Sequence, residues 1–377
     1  MRRLDAIEFG KAEVNMPDGT CYAFAGRQDG PTARMHLHDL SVLVGMMMGG
    51  NIALANDYRA GKWDSPNLPA LIEFGLRNSH VLNRFIYGLR PLQMLTRLSY
   101  LLAMNNKKGS RKNIHAHYDL GNDFYRLWLD PSMTYSSALF HHHDEDLMTG
   151  QYNKYDRILD RFGHNPHHIL EIGCGWGGFI RRSIERADHA MTSITISPAQ
   201  WAYARARLDH PNAMIHLQDY REVKGRFDGI VSIEMFEAVG ERYWPTYFTK
   251  LKSLLAHKGR AVIQTITIGD AYFPSYRVMG DAIRSYIFPG GMLPSPQRFK
   301  QEAERADLKI ADCYTFGHDY ARTLALWLMQ FENQAEAIKA QHFDEGFVRL
   351  WRFYLASCMA AFTEGRVDVM QVELRHA

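Results

Sequence analysis

Apolar and polar positions follow different periods in successive parts of this chain. Residues 9–26 alternate about Pro17, Asp18 and Gly19, the pattern of two short strands joined by a turn. Beyond Arg34 the spacing becomes helical. Leu40, Val42, Leu43, Met46 and Met47 lead into a break at Gly49 and Gly50, and further helical runs cover 52–58 and 68–76. Residues 81–104, with Val81, Leu82, Phe85, Ile86, Leu89 and Leu92 along one stripe, form another amphipathic stretch, read as the core of a small domain rather than a membrane-surface helix. Asn105 to Asn113 (NNKKGSRKN) is polar and basic and reads as a linker. Thereafter apolar runs at 168–172, 190–196, 213–217, 227–233 and 259–266 alternate with helical patterns. Such alternation predicts an α/β fold with a doubly wound, largely parallel sheet and a ligand at the carboxyl ends of its strands.

The expected organisation is therefore a smaller, mostly helical N-terminal domain over 1–104, a linker over 105–113, and an α/β domain over 114–377 with an apolar-aromatic insertion at 270–295. A length of 377 residues suits two domains. No apolar run approaches the ~20 residues of a membrane span. The opening Met-Arg-Arg gives way at once to mixed residues, so no signal peptide is expected. Cys21, Cys174, Cys313 and Cys358 are scattered without C-x-x-C pairing, which argues against a zinc site or a disulfide framework and for a reducing, cytoplasmic setting. A net charge of +3 is too small to imply nucleic acid.

The most informative run is 169–179, ILEIGCGWGGF. An apolar strand candidate breaks into Gly173, Gly175, Gly177 and Gly178, then resumes with helix-compatible residues. Glycines at this spacing bring a ligand against bare main chain, and a following helix N-terminus offers unpaired N–H groups. A dinucleotide loop needs G-x-G-x-x-G. Here the glycines fall as G-x-G-x-G-G, with Glu171 two residues ahead. This Glu-x-Gly-x-Gly form resembles the S-adenosylmethionine (SAM) loop of Rossmann-like methyltransferases.

Four further segments accompany the loop: 117–125 (HYDLGNDFY) with 133–138 (MTYSSA), 232–240 (SIEMFEAVG), 286–295 (YIFPGGMLPS) and 316–324 (FGHDYARTL). Together and in this order they resemble the cyclopropane fatty acid synthase (cyclopropane-fatty-acyl-phospholipid synthase) family of SAM-dependent methyltransferases, from about residue 36 onward. The resemblance implies a Rossmann-like SAM methyltransferase domain. It also implies that SAM lies across Tyr135 and Ser136, the loop carrying Glu171, Gly173, Gly175 and Gly177, then Thr195 and Gln200, and finally Asp219 and Tyr220. Thr195 and Gln200 follow the second strand, where polar side chains reach ribose hydroxyls. Asp219 and Tyr220 follow the third, where a carboxylate and an aromatic face bracket adenine.

The resemblance further implies methylation of a cis double bond in an unsaturated phospholipid acyl chain. An alkene is a weak nucleophile, so contact with the electrophilic sulfonium does much of the work. A carbocation results, and the proton then lost decides the product. Loss from the new methyl closes a cyclopropane; loss from a chain carbon gives a methyl-branched unsaturated chain, and a hydride shift before the proton leaves gives a methylene chain. In the family a bound bicarbonate is the base. Glu237, Tyr320 and the backbone of Ile266 match its holders, while Ser137 stands for the usual Cys and Gln264 for the usual His. Both retain hydrogen-bonding capacity. Cyclopropane is the leading product, and the branched or methylene outcome stays open beside it.

Other residues have plainer readings. Cys358 aligns with a cysteine treated as catalytic in the family, yet its apolar helical setting is that of a small buried hydrophobe. Glu234, three residues from Glu237, need not face the same site. His141, His142 and His143 read as a solvated loop rather than a metal site. His117, Tyr118 and Asp119 read as ordering a lid over SAM. The aromatic residues within 272–288 suit an acyl tunnel or ordinary packing. A substrate held in a bilayer implies peripheral docking at the inner face of the membrane, with Lys107, Lys108, Arg111 and Lys112 as headgroup contacts. A homodimer is left open. So are a non-catalytic lipid-binding protein and a methyltransferase for a small soluble acceptor.

Overall fold

The computed structural model describes residues 6–88, 109, 120–163, 166, 168–187 and 189–377. The chain divides into two units. One comprises Met1–Leu102, Pro274–Pro289 and Leu324–Arg366; the other comprises Ala103–Phe273, Gly290–Thr323 and Val367–Ala377.

In the first unit β1 (Phe9–Asn15) and β2 (Cys21–Ala25) pair antiparallel about the expected turn, Asn15 opposite Cys21. Together with β3 (Gln28–Leu37) and β4 (Trp63–Asp64) they form a sheet ordered β2-β1-β3-β4. The expectation of a mostly helical N-terminal domain thus missed β3. Gly30 and Pro31 interrupt its alternation, leaving only Ala33, Met35 and Leu37 on the buried side. The helix Ser41–Arg59 runs through the break read at Gly49 and Gly50. Gly50 kinks it at φ 60° and ψ −140°, a conformation that side-chain-bearing residues resist. Asn67 caps the helix Leu68–Arg77, its side chain accepting from Ala70 N. Just beyond that helix, fully buried Asn78 accepts from Glu8 N and Phe9 N, each at 3.0 Å, and donates to Phe9 O and Phe74 O. One amide therefore satisfies four main-chain groups and fixes the helix end to the sheet.

In the second unit the five expected strands appear as β5 (His168–Ile172), β6 (Ala190–Thr195), β7 (Ala213–Leu217), β8 (Phe227–Ile233) and β9 (Leu255–Ile268). They run parallel, and the whole sheet is ordered β10-β11-β9-β8-β5-β6-β7. β10 (Leu308–Thr315) and β11 (Val367–His376) extend it antiparallel beyond β9. Neither was legible in the pattern. β10 is a mostly exposed edge, and β11 buries Gln371 and Glu373 inside what would otherwise be an apolar run. Strand order reverses at β5, which has β6 on one side and β8 on the other. A ligand crevice forms at such a reversal, beyond the carboxyl ends of the strands. Ile169, Met191, Val231 and Val262 of the sheet pack with Ile158, Phe162 and Phe179 into the core that fixes those ends. Among the described residues no helix is long and apolar enough to cross a membrane.

Removing the Asn78 amide strands buried main-chain groups. Asn78→Ala is expected to lower unfolding stability by about 2–3 kcal/mol, read as a lower urea midpoint.

Candidate active site

The cofactor end of the site follows from where β5, β6 and β7 stop. After Ile172 the chain turns through Gly173 (φ 88°), Gly175 (φ 50°) and Gly177 (φ 90°), all in the left-handed region that glycine tolerates. Gly173 N and Cys174 N donate to Ile194 O and lock the loop against β6. A side chain at Gly175 would meet nothing within 4 Å, so this part of the loop presents bare main chain to open space. Glu171, buried on β5, accepts from Ser193 Oγ at 2.6 Å, and its burial pushes the carboxyl up to about 8. Trp176 donates to Asn122 Oδ1 at 2.7 Å across the loop.

Thr195 closes β6, and its hydroxyl donates to Gln200 Oε1 at 2.8 Å. Beyond β7, Asp219 accepts from Arg221 Nε and Nη2 at 2.8 and 2.6 Å, while the Tyr220 ring packs edge-on against Tyr247. Desolvation pushes the Tyr220 phenol up to about 12. Tyr135 packs against Tyr125 and Trp128. Ser136 is held from two sides: Gln151 Nε2 donates to its carbonyl at 2.9 Å and Lys154 Nζ to its hydroxyl at 2.6 Å. The segment 138–140 is fastened to the helix Gly317–Asn333, since Ala138 N donates to Thr323 Oγ1 and Phe140 N to Asp319 Oδ2. A bare loop, a buried carboxyl and strand-end polar groups are the chemistry that fits SAM.

The second half of the site lies beyond β8 and β9. Glu234 follows β8 with φ 49°, a left-handed backbone rare for a side-chain-bearing residue, and its N–H donates to Gln264 O. Its carboxylate gathers three donors. Ser137 N and Gln264 Nε2 reach Oε1 at 2.9 and 2.8 Å, and Tyr320 OH reaches Oε2 at 2.6 Å. Gln264 is itself oriented by Gln371 Nε2, which donates to its carbonyl oxygen at 2.9 Å. Glu237, three residues on, accepts at Oε1 from Thr265 Oγ1 (3.0 Å) and Ile266 N (2.5 Å). Its other oxygen is buried without a hydrogen-bond partner. Both residues keep some surface open, but their carboxyl groups are desolvated. Burial, then the neighbouring Glu234 charge, pushes Glu237 up to about 8. Burial likewise raises Glu234, with Tyr320 and Lys154 pulling back. At neutral pH Glu237 therefore carries its proton, which spares the pair a like-charge contact.

Ser137, Gln264 and Tyr320 thus meet at Glu234, which the sequence reading set aside, while Ile266 binds the neighbouring Glu237. Ser137 contributes its main-chain N–H; its hydroxyl turns to Ala138 O at 2.9 Å. Thr265 and Lys154 were not singled out. A lysine inside an amphipathic helix resembles a solvated charge, so no sequence signal marked it. Cys358 lies in the other unit, on the helix Glu345–Thr363, where desolvation pushes its thiol up to about 12 and keeps it protonated. His141, His142 and His143 are exposed, and no metal-binding group exists among the described residues. His117, Tyr118, Asp119 and the basic linker residues Lys107, Lys108, Arg111 and Lys112 lie outside the described residues.

Comparison with known proteins gives this geometry its context. Residues 105–372 match the family model described as mycolic acid cyclopropane synthetase. The chain is 37% identical over 341 residues to the tuberculostearic acid methyltransferase UfaA1 of Mycobacterium tuberculosis, covering 85% of this chain and 78% of the relative. It is 30% identical over 370 residues to the cyclopropane-fatty-acyl-phospholipid synthase of Escherichia coli, covering 96% and 94%. Among solved structures, the mycolic acid cyclopropane synthase CmaA1 complexed with SAH and CTAB superposes with a TM-score of 0.65 at 30% identity, covering 70% of this chain and 97% of that one. The α/β, Rossmann-like fold, the SAM loop and these matches agree: the chain belongs to the mycolic acid cyclopropane synthetase family and is a SAM-dependent methyltransferase.

Proposed function

We propose that this enzyme methylates the cis double bond of an unsaturated fatty acyl chain in a membrane phospholipid, and that Glu234 takes the proton that ends the reaction. The product is then a methyl-branched unsaturated or methylene chain rather than a cyclopropane. The observation that carries the product is that one protein carboxylate occupies Ser137 N–H, Gln264 and Tyr320 together. These belong to three of the residues that the family resemblance assigns to bicarbonate.

SAM supplies an electrophilic methyl group. The work left to this chain is to hold the acyl chain dry beside it and to place a base. Methylation of one alkene carbon leaves a cation on the other, and a proton must then leave. A carboxylate pinned by three hydrogen bonds accepts from one direction only, and it needs no dissolved anion. Glu237, protonated at neutral pH, leaves Glu234 as the carboxyl group placed to accept the substrate proton. Likeness to a tuberculostearic acid methyltransferase, a relative named for a methyl-branched acid, supports this branch.

Ring closure is the second reading, favoured by the likeness to a cyclopropane-fatty-acyl-phospholipid synthase over almost the whole chain. It requires that the proton come from the transferred methyl. In either case the substrate sits in a bilayer, so a cytoplasmic enzyme docks at the inner face and draws one acyl chain into the site.

Incubation of the protein with SAM and cis-unsaturated phospholipid vesicles is expected to add one CH₂ with an olefin retained, read by gas chromatography and mass spectrometry. Loss of the olefin would establish the ring product, and no mass gain would sink the lipid assignment. Glu234→Gln is expected to lower turnover about 100-fold or more. Glu234→Gly suits the backbone and frees the three donors, so added bicarbonate is expected to restore turnover and shift the product toward cyclopropane.

Glu237 also has a pH signature in stability. Its carboxyl rises from 4.5 to about 8 on folding, so between these values the folded chain holds a proton that the unfolded chain has lost. Stability therefore falls as pH rises through that window. Glu237→Gln is expected to raise Tm by a few degrees at pH 8, at roughly 2–4 °C per kcal/mol, and by less at pH 5.

A further inference from the structure

The reading of Glu234 as base demands that it be ionised when the substrate proton leaves, and the inference here rests on that reading. Its burial opposes ionisation, and the Tyr320 hydrogen bond, the Lys154 charge, the Ser137 N–H and the Gln264 amide pull the other way. Lys154 is the one positive group among these four.

Lys154, on the helix Leu147–Arg161, is fully buried. An ammonium without a counter-charge is costly to bury. Its Nζ donates to two neutral acceptors, Ser136 Oγ at 2.6 Å and Gln151 Oε1 at 2.5 Å, and lies 4.6 Å from the centre of the Tyr155 ring. The carboxylates acting on it are Glu234 first and Asp130 second. Asp130 is already engaged by Ser132 N at 2.9 Å and Thr134 N at 3.4 Å.

Two routes connect the amine's residue to Glu234. Along the first, Lys154 holds Ser136, and the next residue, Ser137, gives its N–H to Glu234. Along the second, Gln371 Nε2 donates to Lys154 O at 3.4 Å and to Gln264 Oε1 at 2.9 Å, and Gln264 donates to Glu234. Amine and carboxylate thus belong to one packed, hydrogen-bonded unit. We infer that Lys154 is a positioning residue for the proton step, the buried counter-charge that keeps Glu234 a carboxylate while its side chain fixes Ser136.

The charged and titratable groups facing this pair are Tyr320 from the helix Gly317–Asn333, Glu237 from the turn after β8, Tyr155 from Lys154's own helix, and Asp130. Burial drives the Lys154 amine down to about 7 against the pull of Glu234 and Asp130. Removal of either partner should therefore move the other's titration.

The test is a carbon-13 NMR titration of the full-length protein labelled at glutamate side-chain carboxyl carbons, with Glu234→Gln to assign the resonance. Lys154→Met, which keeps the chain length and removes the charge, is expected to raise the Glu234 midpoint by about one unit or more. Ser136→Ala, which removes only the hydrogen bond, is expected to leave it in place. The acidic limb of the kcat profile should move with the midpoint. Reciprocally, nitrogen-15 titration of lysine amines should show the Lys154 midpoint falling in Glu234→Gln, a measurement that stands if Lys154→Met does not fold. An unmoved Glu234 midpoint in Lys154→Met, or an unmoved Lys154 midpoint in Glu234→Gln, would overturn the inference. Both shifts without any lipid methylation would count against the acyl substrate and leave the pair intact.

Discussion

The Glu234 carboxylate is the knot on which the catalytic half of this enzyme depends. It receives a main-chain N–H from the Ser137 segment, an amide from β9 and a phenol from the helix Gly317–Asn333. Four separate stretches of chain are thereby brought to one point. A charge in such a place is stable only while its lone pairs are taken up and a positive group is near. The left-handed backbone at Glu234 adds strain of order 1 kcal/mol, a cost that tertiary contacts offset. Strain and desolvation kept at one residue are what a functional constraint looks like in a fold.

The cofactor half depends on topology rather than on a single contact. Strand order reverses at β5, so the loop after Ile172 lies at the crevice that such a reversal leaves, and glycine keeps that loop bare. Glu171 reaches the same region from inside the sheet, with Ser193 on β6 fixing its orientation. The two halves meet through sequence adjacency. Lys154 holds Ser136, and the next residue, Ser137, gives its N–H to Glu234. Consecutive residues thus join a position that the family resemblance assigns to SAM to the proposed base.

What was legible beforehand follows the same physics. The glycine loop announces itself because glycine tolerates its φ values, and the inner strands β5 and β8 because burial on both faces makes them largely apolar. Glu237 and Tyr320 were found through motifs. Glu234 was not, because residues three apart on a helical turn need not share a face. A positive φ, which spacing does not reveal, turns Glu234 toward Ser137 and Gln264. Ser137 was named for its hydroxyl and enters by its N–H, a distinction that residue type does not carry. Lys154 looked like solvent-facing charge, and β11 lost its strand signal to buried Gln371. Each omission is a polar group made internal by tertiary contacts.

Tethering the base changes the chemistry in two respects. A dissolved anion must be captured for each turnover and accepts a proton from whichever carbon its seat faces. A side-chain carboxylate has a high effective concentration and a fixed approach, so the proton it removes is set by the lie of the acyl chain rather than by the anion. Ionisation of such a base is then a property of its neighbours. Glu237 holds its own proton and withdraws a competing charge, while Lys154, its amine pushed down to about 7 by burial, supplies an opposite one in its protonated form. The two act in the same direction on Glu234, Glu237 when neutral and Lys154 when protonated. On the proposal that Glu234 is the base, product choice depends on three side chains whose protonation states are mutually dependent, and altering any one of them alters the base available to the carbocation.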